Sequence, residues 1–365
     1  MNFIDLHAHF PMHFDFPPRR SEDELADDIK ALELGVANLL LNYQRGLPPT
    51  PRVTLDLAHE GGVSGFLSCL YDPDDEFFRP PEPRPEAALN LFAQLAQVEQ
   101  EVAKDARAGM ARSTAELESL AAEGRLAVIH SVEGAQGLGG DPGNVARLAE
   151  KGIAYIGIAH LLYRGVATCT NAFPNLPDHV FRLVNPQPAG VGLTELGREI
   201  VLACFREHVL VDITHATPQA EKEIFEIADQ HPGQPVIVSH SGVRGASGYA
   251  YNLSDWTIFR IAASGGLIGV ILCPHWLRQP AEQLFGSRHL DLVFRAIDHI
   301  VKVTGSVDSV GIGSDLDGFI QPVEEVENLA QVPALVTAIE ERYGAEAAEK
   351  ILWGNVLRVL KQGWR

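Results

Sequence analysis

Cysteine is scarce in this 365-residue chain. Its four thiols, Cys69, Cys169, Cys204 and Cys273, are widely scattered and no two form a CxxC pair, which argues against a thiolate zinc finger or a dense disulfide framework. Basic residues are outnumbered, 29 Lys and Arg against 48 Asp and Glu, for a formal charge of −19. A phosphate backbone needs clustered cations, so nucleic acid is not an expected partner. No run of about 18 apolar residues appears, so no spanning helix is expected. The opening MNFIDLHAHF has neither the basic start nor the long apolar stretch of a signal peptide, and the closing LRVLKQGWR is too short and too basic for an anchor signal. The glycines of GIGSDLDG and GLGGDPG lack GxGxxG spacing after a strand, a poor match to a dinucleotide site. A reduced, cytoplasmic protein without a membrane partner is the expectation.

What is present is a large potential core, with 46% hydrophobic and 21% charged residues. Short β-rich runs recur along the chain: FIDLHAH (3–9), VSGFLSCLY (63–71), LAVIHSVEG (126–134), AYIGIAH (154–160), VLVDITH (209–215), PVIVSHS (235–241), LIGVILC (267–273) and SVGIGSD (309–315). Amphipathic stretches such as 85–124 and 217–231 lie between them. Alternating strands and helices predict parallel βαβ units, and eight of them predict a single α/β domain over 1–365, a closed (β/α)8 TIM-type barrel with inserted loops. The run ANLLLNY (37–43) also reads as a strand and is assigned to an insertion between the first two barrel strands. The proline-rich stretches 72–86 and 171–192 are long enough to be lids or substrate loops.

In such a barrel the chemistry sits where the strands end. The first strand offers His7 and His9, whose i, i+2 spacing puts both imidazoles on one face. The later strands end in or lead into Glu133, His160, His215, His240 and Asp315. So many ligand-type residues converging on one mouth predict a binuclear hydrolytic centre with two divalent metal ions, zinc first among the expected metals. Glu133 would bridge the ions, His7 and His9 would hold one, and His215 and His240 the other. Asp315 would take the proton of the attacking water and pass it to the leaving nitrogen. Asp5 and Asp212 are candidate acceptors that orient ligand imidazoles. His130 faces the other way by strand alternation and reads as structural. His275, just past the seventh strand, is near enough to the rim to touch substrate, and Asp317 reads as shaping the SDLDG turn.

The segments VLVDITHAT, PVIVSHSGVRG, SVEGAQGL and VGIGSDLDG, in this order, resemble the membrane (renal) dipeptidase family, peptidase family M19, over residues 3 to about 360. The resemblance implies a (β/α)8 barrel with a glutamate-bridged binuclear zinc site that cleaves dipeptides, some with a D-residue at the C-terminal position. It also implies that His160, in GIAHLLYRG, contacts substrate near the scissile carbonyl. Two departures stand out. The family has H-x-D on the first strand, where this chain has His7-Ala8-His9, a spacing shared with the wider amidohydrolases. The family also has Arg-Asn where this chain has Tyr251-Asn252. The arginine binds the free carboxylate of a dipeptide, and a phenol cannot replace its charge. Arg244 is therefore the candidate to take over that carboxylate. Otherwise the substrate is another amide, ester or lactone without one. The small-molecule partner expected is a dipeptide or related amide, and the sequence leaves a homodimer open. A barrel that binds without catalysis is disfavoured by the intact ligand set.

Overall fold

The computed structural model describes residues 1–14, 50–173, 176–283 and 286–364. The run 37–43 lies outside them. The strands are β1 (Ile4–Ala8), β2 (Gly65–Leu70), β3 (Ala108–Met110), β4 (Leu126–Val132), β5 (Ile153–Gly157), β6 (Leu210–Asp212), β7 (Val236–Ser241), β8 (Leu267–Val270) and β9 (Val310–Ile312). All pairings are parallel, in the order β1-β2-β4-β5-β6-β7-β8-β9. The ring closes just past β9, where the His9 amide donates to the Leu316 carbonyl and the Asp315 amide to the His7 carbonyl, both at 3.0 Å. This is the TIM-type barrel expected from the sequence.

One element was not anticipated. The stretch 85–124 reads as amphipathic with no strand in it, but it folds as helix Pro85–Ala103, strand β3 and helix Thr114–Ala122. Strand β3 pairs with the start of β4, on the flank whose upper half β5 takes. Three residues carry no legible strand period, which is why pattern alone missed it. The outer helices form where the sequence provides stops and starts: Thr194, Thr217 and Ser254 each accept a backbone N–H as the N-cap of Glu195–Glu207, Pro218–Ala228 and Asp255–Ala263.

Two apolar layers hold the barrel. The larger lies between strands and helices and includes Phe66, Val128, Ile156, Val211, Val238 and Ile268. The smaller joins Ile4, Leu6, Leu67, Ile129, Leu210, Ile237 and Leu267 to Trp353, Val356, Val359, Leu360 and Trp364. The C-terminal helix Asn355–Gly363 covers the barrel end at which the strands begin: Arg358 donates to the carbonyls of Gly265, Gly266 and Asp308. Gly363 permits that close approach, because a Cβ there would come within 2.4 Å of Leu210. Among the described residues, no helix is long and apolar enough to cross a membrane.

Candidate metal centre

Strand endings set the site. Register shifts interrupt the ladders between Asp5 and Ala8, between His130 and Val132, and between Val238 and Ser241, just where His7, Glu133 and His240 must be aimed. His240 lies within β7, but His160, His215 and Asp315 fall beyond the ladders in which the sequence reading put them. His215 and Asp315 adopt φ of 67° and 59°, left-handed geometry that ends a strand and is unfavourable for residues with a side chain. Such strain persists where the surroundings require it, and here it turns both side chains toward the centre. The turn after Asp315 must be glycine, since a Cβ on Gly318 would overlap Asp315 Oδ1 at 1.7 Å.

Glu133 occupies the middle. Nε2 of His215, His7 and His240 surround its Oε1 at 3.3, 3.5 and 3.5 Å. Its Oε2 faces Nε2 of His9 at 3.3 Å and of His160 at 3.4 Å. The imidazoles form two pairs, His7 with His9 at 3.1 Å and His215 with His240 at 3.2 Å between Nε2 atoms. Asp315 Oδ1 stands 3.3 Å from His9 Nε2 and 3.8 Å from His7 Nε2. Two facts make this arrangement fit divalent metal. Glu133 Oε1 is buried without a hydrogen-bond partner, a costly state unless something else satisfies it. Nitrogen lone pairs aimed at each other at such distances also require a shared proton or a cation between them. Three overlapping groups bring their ligand atoms within 4.8 Å of one another: His7, His9, Cys69 and Glu133; His7, His240 and Asp315; Glu133, His215 and His240. Imidazole and carboxylate donors suit a borderline divalent ion.

Neighbouring groups fix which nitrogen faces inward. The Tyr155 hydroxyl donates to the Leu6 carbonyl at 3.1 Å, and so accepts from His7 Nδ1 at 2.6 Å. Ser239 Oγ donates to Asp212 Oδ2 at 2.6 Å and so accepts from His240 Nδ1 at 3.0 Å. Each leaves Nε2 as the inward donor atom. Asp212 thus reaches the His240 imidazole through a serine. Asp5 does not: its Oδ1 accepts from the backbone amides of His7 and Ser314, tying β1 to the chain after β9. The Tyr251 hydroxyl sits 3.3 Å from His215 Nδ1, its ring stacked on Trp276 at 4.2 Å.

Burial drives the electrostatics. It pushes His7 down to about 3, His240 well below its usual value and His215 down as well, so these three are neutral donors, as ligation requires. Burial also opposes the charge of Glu133, but His160 and His7 hold its carboxyl well below the usual range. His160 goes the other way: against its burial, Glu133 and Glu76 push it up to about 9. Burial pushes Asp315 up to about 7, against the pull of His9.

Sequence reasoning missed Glu76, which belongs to the proline-rich stretch 72–86. That stretch contains a short helix, Pro73–Phe78, capped by Asp72. Glu76 is fully buried. Its Oε2 accepts from His160 Nδ1 at 2.5 Å and from the Tyr71 hydroxyl at 2.7 Å, and its Oε1 accepts from the Leu162 amide at 2.7 Å. Nothing in DPDDEFF distinguishes it from Asp74 and Asp75. Tyr155 was missed too, being one more β-strand aromatic by pattern. Arg244 is not brought to the cluster by any hydrogen bond: it donates to the carbonyls of Ala250 at 2.8 Å and Asn252 at 3.4 Å within its own loop. His275 lies beside Tyr249 and Trp276. His130 approaches Glu99 of the outer helix Pro85–Ala103, as strand alternation predicted. Asp317 accepts from the amides of Arg52 and Val53.

Comparisons with known proteins bear on the fold and the family. The family model of the membrane dipeptidases, peptidase family M19, matches residues 30–363, so the match begins after His7 and His9. An uncharacterized protein in the pqqA 5′ region of Klebsiella pneumoniae is 29% identical over 281 residues, 75% of this chain and 96% of its own length. An uncharacterized dipeptidase of Schizosaccharomyces pombe is 28% identical over 63% of this chain, which spans only 51% of that protein. A metallopeptidase from Rhodobacter sphaeroides, solved with a phosphinate mimic of the dipeptide L-Ala-D-Ala, shares the fold with a TM-score of 0.77 and 23% identity, covering 100% of this chain and 99% of its own. With its barrel, its ring of strand-end histidines and this match, the chain belongs to the membrane dipeptidase family, peptidase family M19.

Proposed function

We propose that this protein is a metal-dependent dipeptidase that uses two divalent ions, zinc expected, on either side of Glu133. The observation that carries the reading is the pair of facing imidazole pairs around an unpartnered buried carboxylate oxygen. His7 and His9 would hold one ion, His215 and His240 the other, and Glu133 would bridge them. When bound, such a pair supplies a water that is nucleophilic at neutral pH and polarises the scissile carbonyl.

The chain's own groups do the rest. Asp315 stands at the rim of the same cluster, and burial gives it an affinity for protons near neutrality, suited to taking a proton from the attacking water and returning it to the leaving amine. His160, held in charge and orientation by Glu76, donates from Nε2 toward the carbonyl oxygen of the substrate. The relative solved with a mimic of L-Ala-D-Ala supports dipeptides, including those with a D-residue, as the substrate class.

A second reading concerns the substrate's far end. The Arg244 guanidinium is engaged by loop carbonyls, and Tyr251 rather than a cation stands beside His215. Both observations favour an amide, ester or lactone without a free carboxylate at that position. The test is hydrolysis of L,L and L,D dipeptides beside their C-terminal amides, N-acyl amino acids and lactones, with metal content measured on the same protein. Metal-dependent cleavage of free dipeptides is the expected outcome. Preference for the amides by tenfold or more selects the second reading, and activity unaffected by metal removal overturns both.

A further inference from the structure

Cys69 is the next-to-last residue of β2 and is fully buried. Its Sγ lies 3.8 Å from Glu133 Oε2, the carboxylate oxygen that faces His9. Sγ and the ligand atoms of His7, His9 and Glu133 all fall within 4.8 Å of one another. Cys169, Cys204 and Cys273 are also buried, but among the described residues they join no such group. Apolar packing accounts for part of the position, since Cys69 clusters with Tyr71 and Phe319. Packing alone does not require a sulfur aimed at the one carboxylate that four imidazoles and His160 already surround.

The charge of the site points the same way. On the His7–His9 side the anions are a share of Glu133 and Asp315, whose Oδ1 stands 3.3 Å from His9 Nε2. A thiolate would add one negative charge on that side, and it would make the site softer.

We propose that Cys69 Sγ is a direct ligand of the ion held by His7 and His9, completing a set of two imidazoles, one thiolate and a shared Glu133 oxygen. The inference rests on the two-ion reading above. On binding, the S–H bond breaks and its proton leaves to solvent as the sulfur–metal bond forms, with no change of oxidation state. Thiolate ligation favours zinc and cobalt on this side over manganese or magnesium.

The experiment uses the full chain. The purified protein is stripped with a chelator and reloaded with Co2+, and its absorption spectrum is recorded for wild type, Cys69→Ser and the control Cys204→Ala. The expected result is a near-ultraviolet sulfur-to-cobalt charge-transfer band in wild type and control that Cys69→Ser loses while keeping the visible cobalt bands. Cys69→Ser should also bind zinc more weakly, by at least the roughly 10–100-fold that groups merely orienting a ligand already command. X-ray absorption of the zinc-loaded wild type covers the case in which the serine variant does not fold: a sulfur shell at about 2.3 Å, outside the nitrogen shell at about 2.0–2.1 Å, is expected. A wild type that binds metal with no sulfur shell and no charge-transfer band overturns the proposal and leaves the dipeptidase reading intact. A protein that binds no divalent metal overturns both. A sulfur shell in a protein that fails to cleave dipeptides upholds Cys69 and removes the dipeptidase reading.

Discussion

Where the barrel strands begin, Ile4, Leu6, Leu67, Ile129, Leu210 and Ile237 pack against Trp353, Val359, Leu360 and Trp364. Where the same strands finish, they present His7, His9, Glu133, His215, His240 and Asp315, all buried. One end removes apolar area from water and gains stability for it. The other buries carboxylates and imidazoles, which is unfavourable unless each finds a partner. Tyr155 joins the two, its ring in the apolar cluster and its hydroxyl on His7. The contrast shows how the fold separates tasks: the covered end holds the strands rigid, so that the open end can keep strained, charged groups in place.

Four changes test that separation. The largest effect is expected from Asp315→Asn, which should lower kcat by about 10²–10⁴-fold, the usual contribution of a general acid or base. Metal content should stay near normal, and turnover close to wild type would remove Asp315 from the chemistry. At the opposite end, Leu360→Ala should cost about 2–5 kcal/mol of stability in urea unfolding. Its metal content and kcat per folded molecule should be unchanged, and a parallel fall in kcat would show that the two ends are not separate.

Smaller effects lie between the ends. Ser239→Ala cuts the link from Asp212 to His240 and should weaken metal binding by about 10–100-fold in titration calorimetry. Unchanged affinity would mean that His240 needs no such support. Glu76→Gln keeps an acceptor for the Leu162 amide but removes the charge beside His160. It should lower kcat about tenfold with little change in KM, the loss of one charge-assisted hydrogen bond. A change confined to KM or to thermal stability would make Glu76 a structural residue only.

The barrel was legible because its repeat is local: each β-rich run is followed by a stretch with helical spacing. That His7, His9, Glu133, His160, His215, His240 and Asp315 come together was legible because they end or follow those runs. Strand β3 was not, since three residues show no period, and neither were the true strand ends, because left-handed backbone at His215 and Asp315 leaves no mark in composition. Asp5 read as an imidazole partner, but its Oδ1 accepts from the backbone amides of His7 and Ser314.

The sequence by itself determined the order of the eight barrel strands, the end of the barrel where the ligand-type residues gather, and the family. The first two follow from periodicity and residue type and the family from the resemblance of short motifs such as VLVDITHAT and VGIGSDLDG, all local properties of the chain. Tertiary structure alone decided that Glu76 reaches His160 across 84 residues, that Tyr155 reaches His7 across 148, and that Cys69 faces Glu133 rather than apolar neighbours only. Those contacts depend on how far each strand twists and how closely the loops approach one another, and they are set only when the whole ring closes.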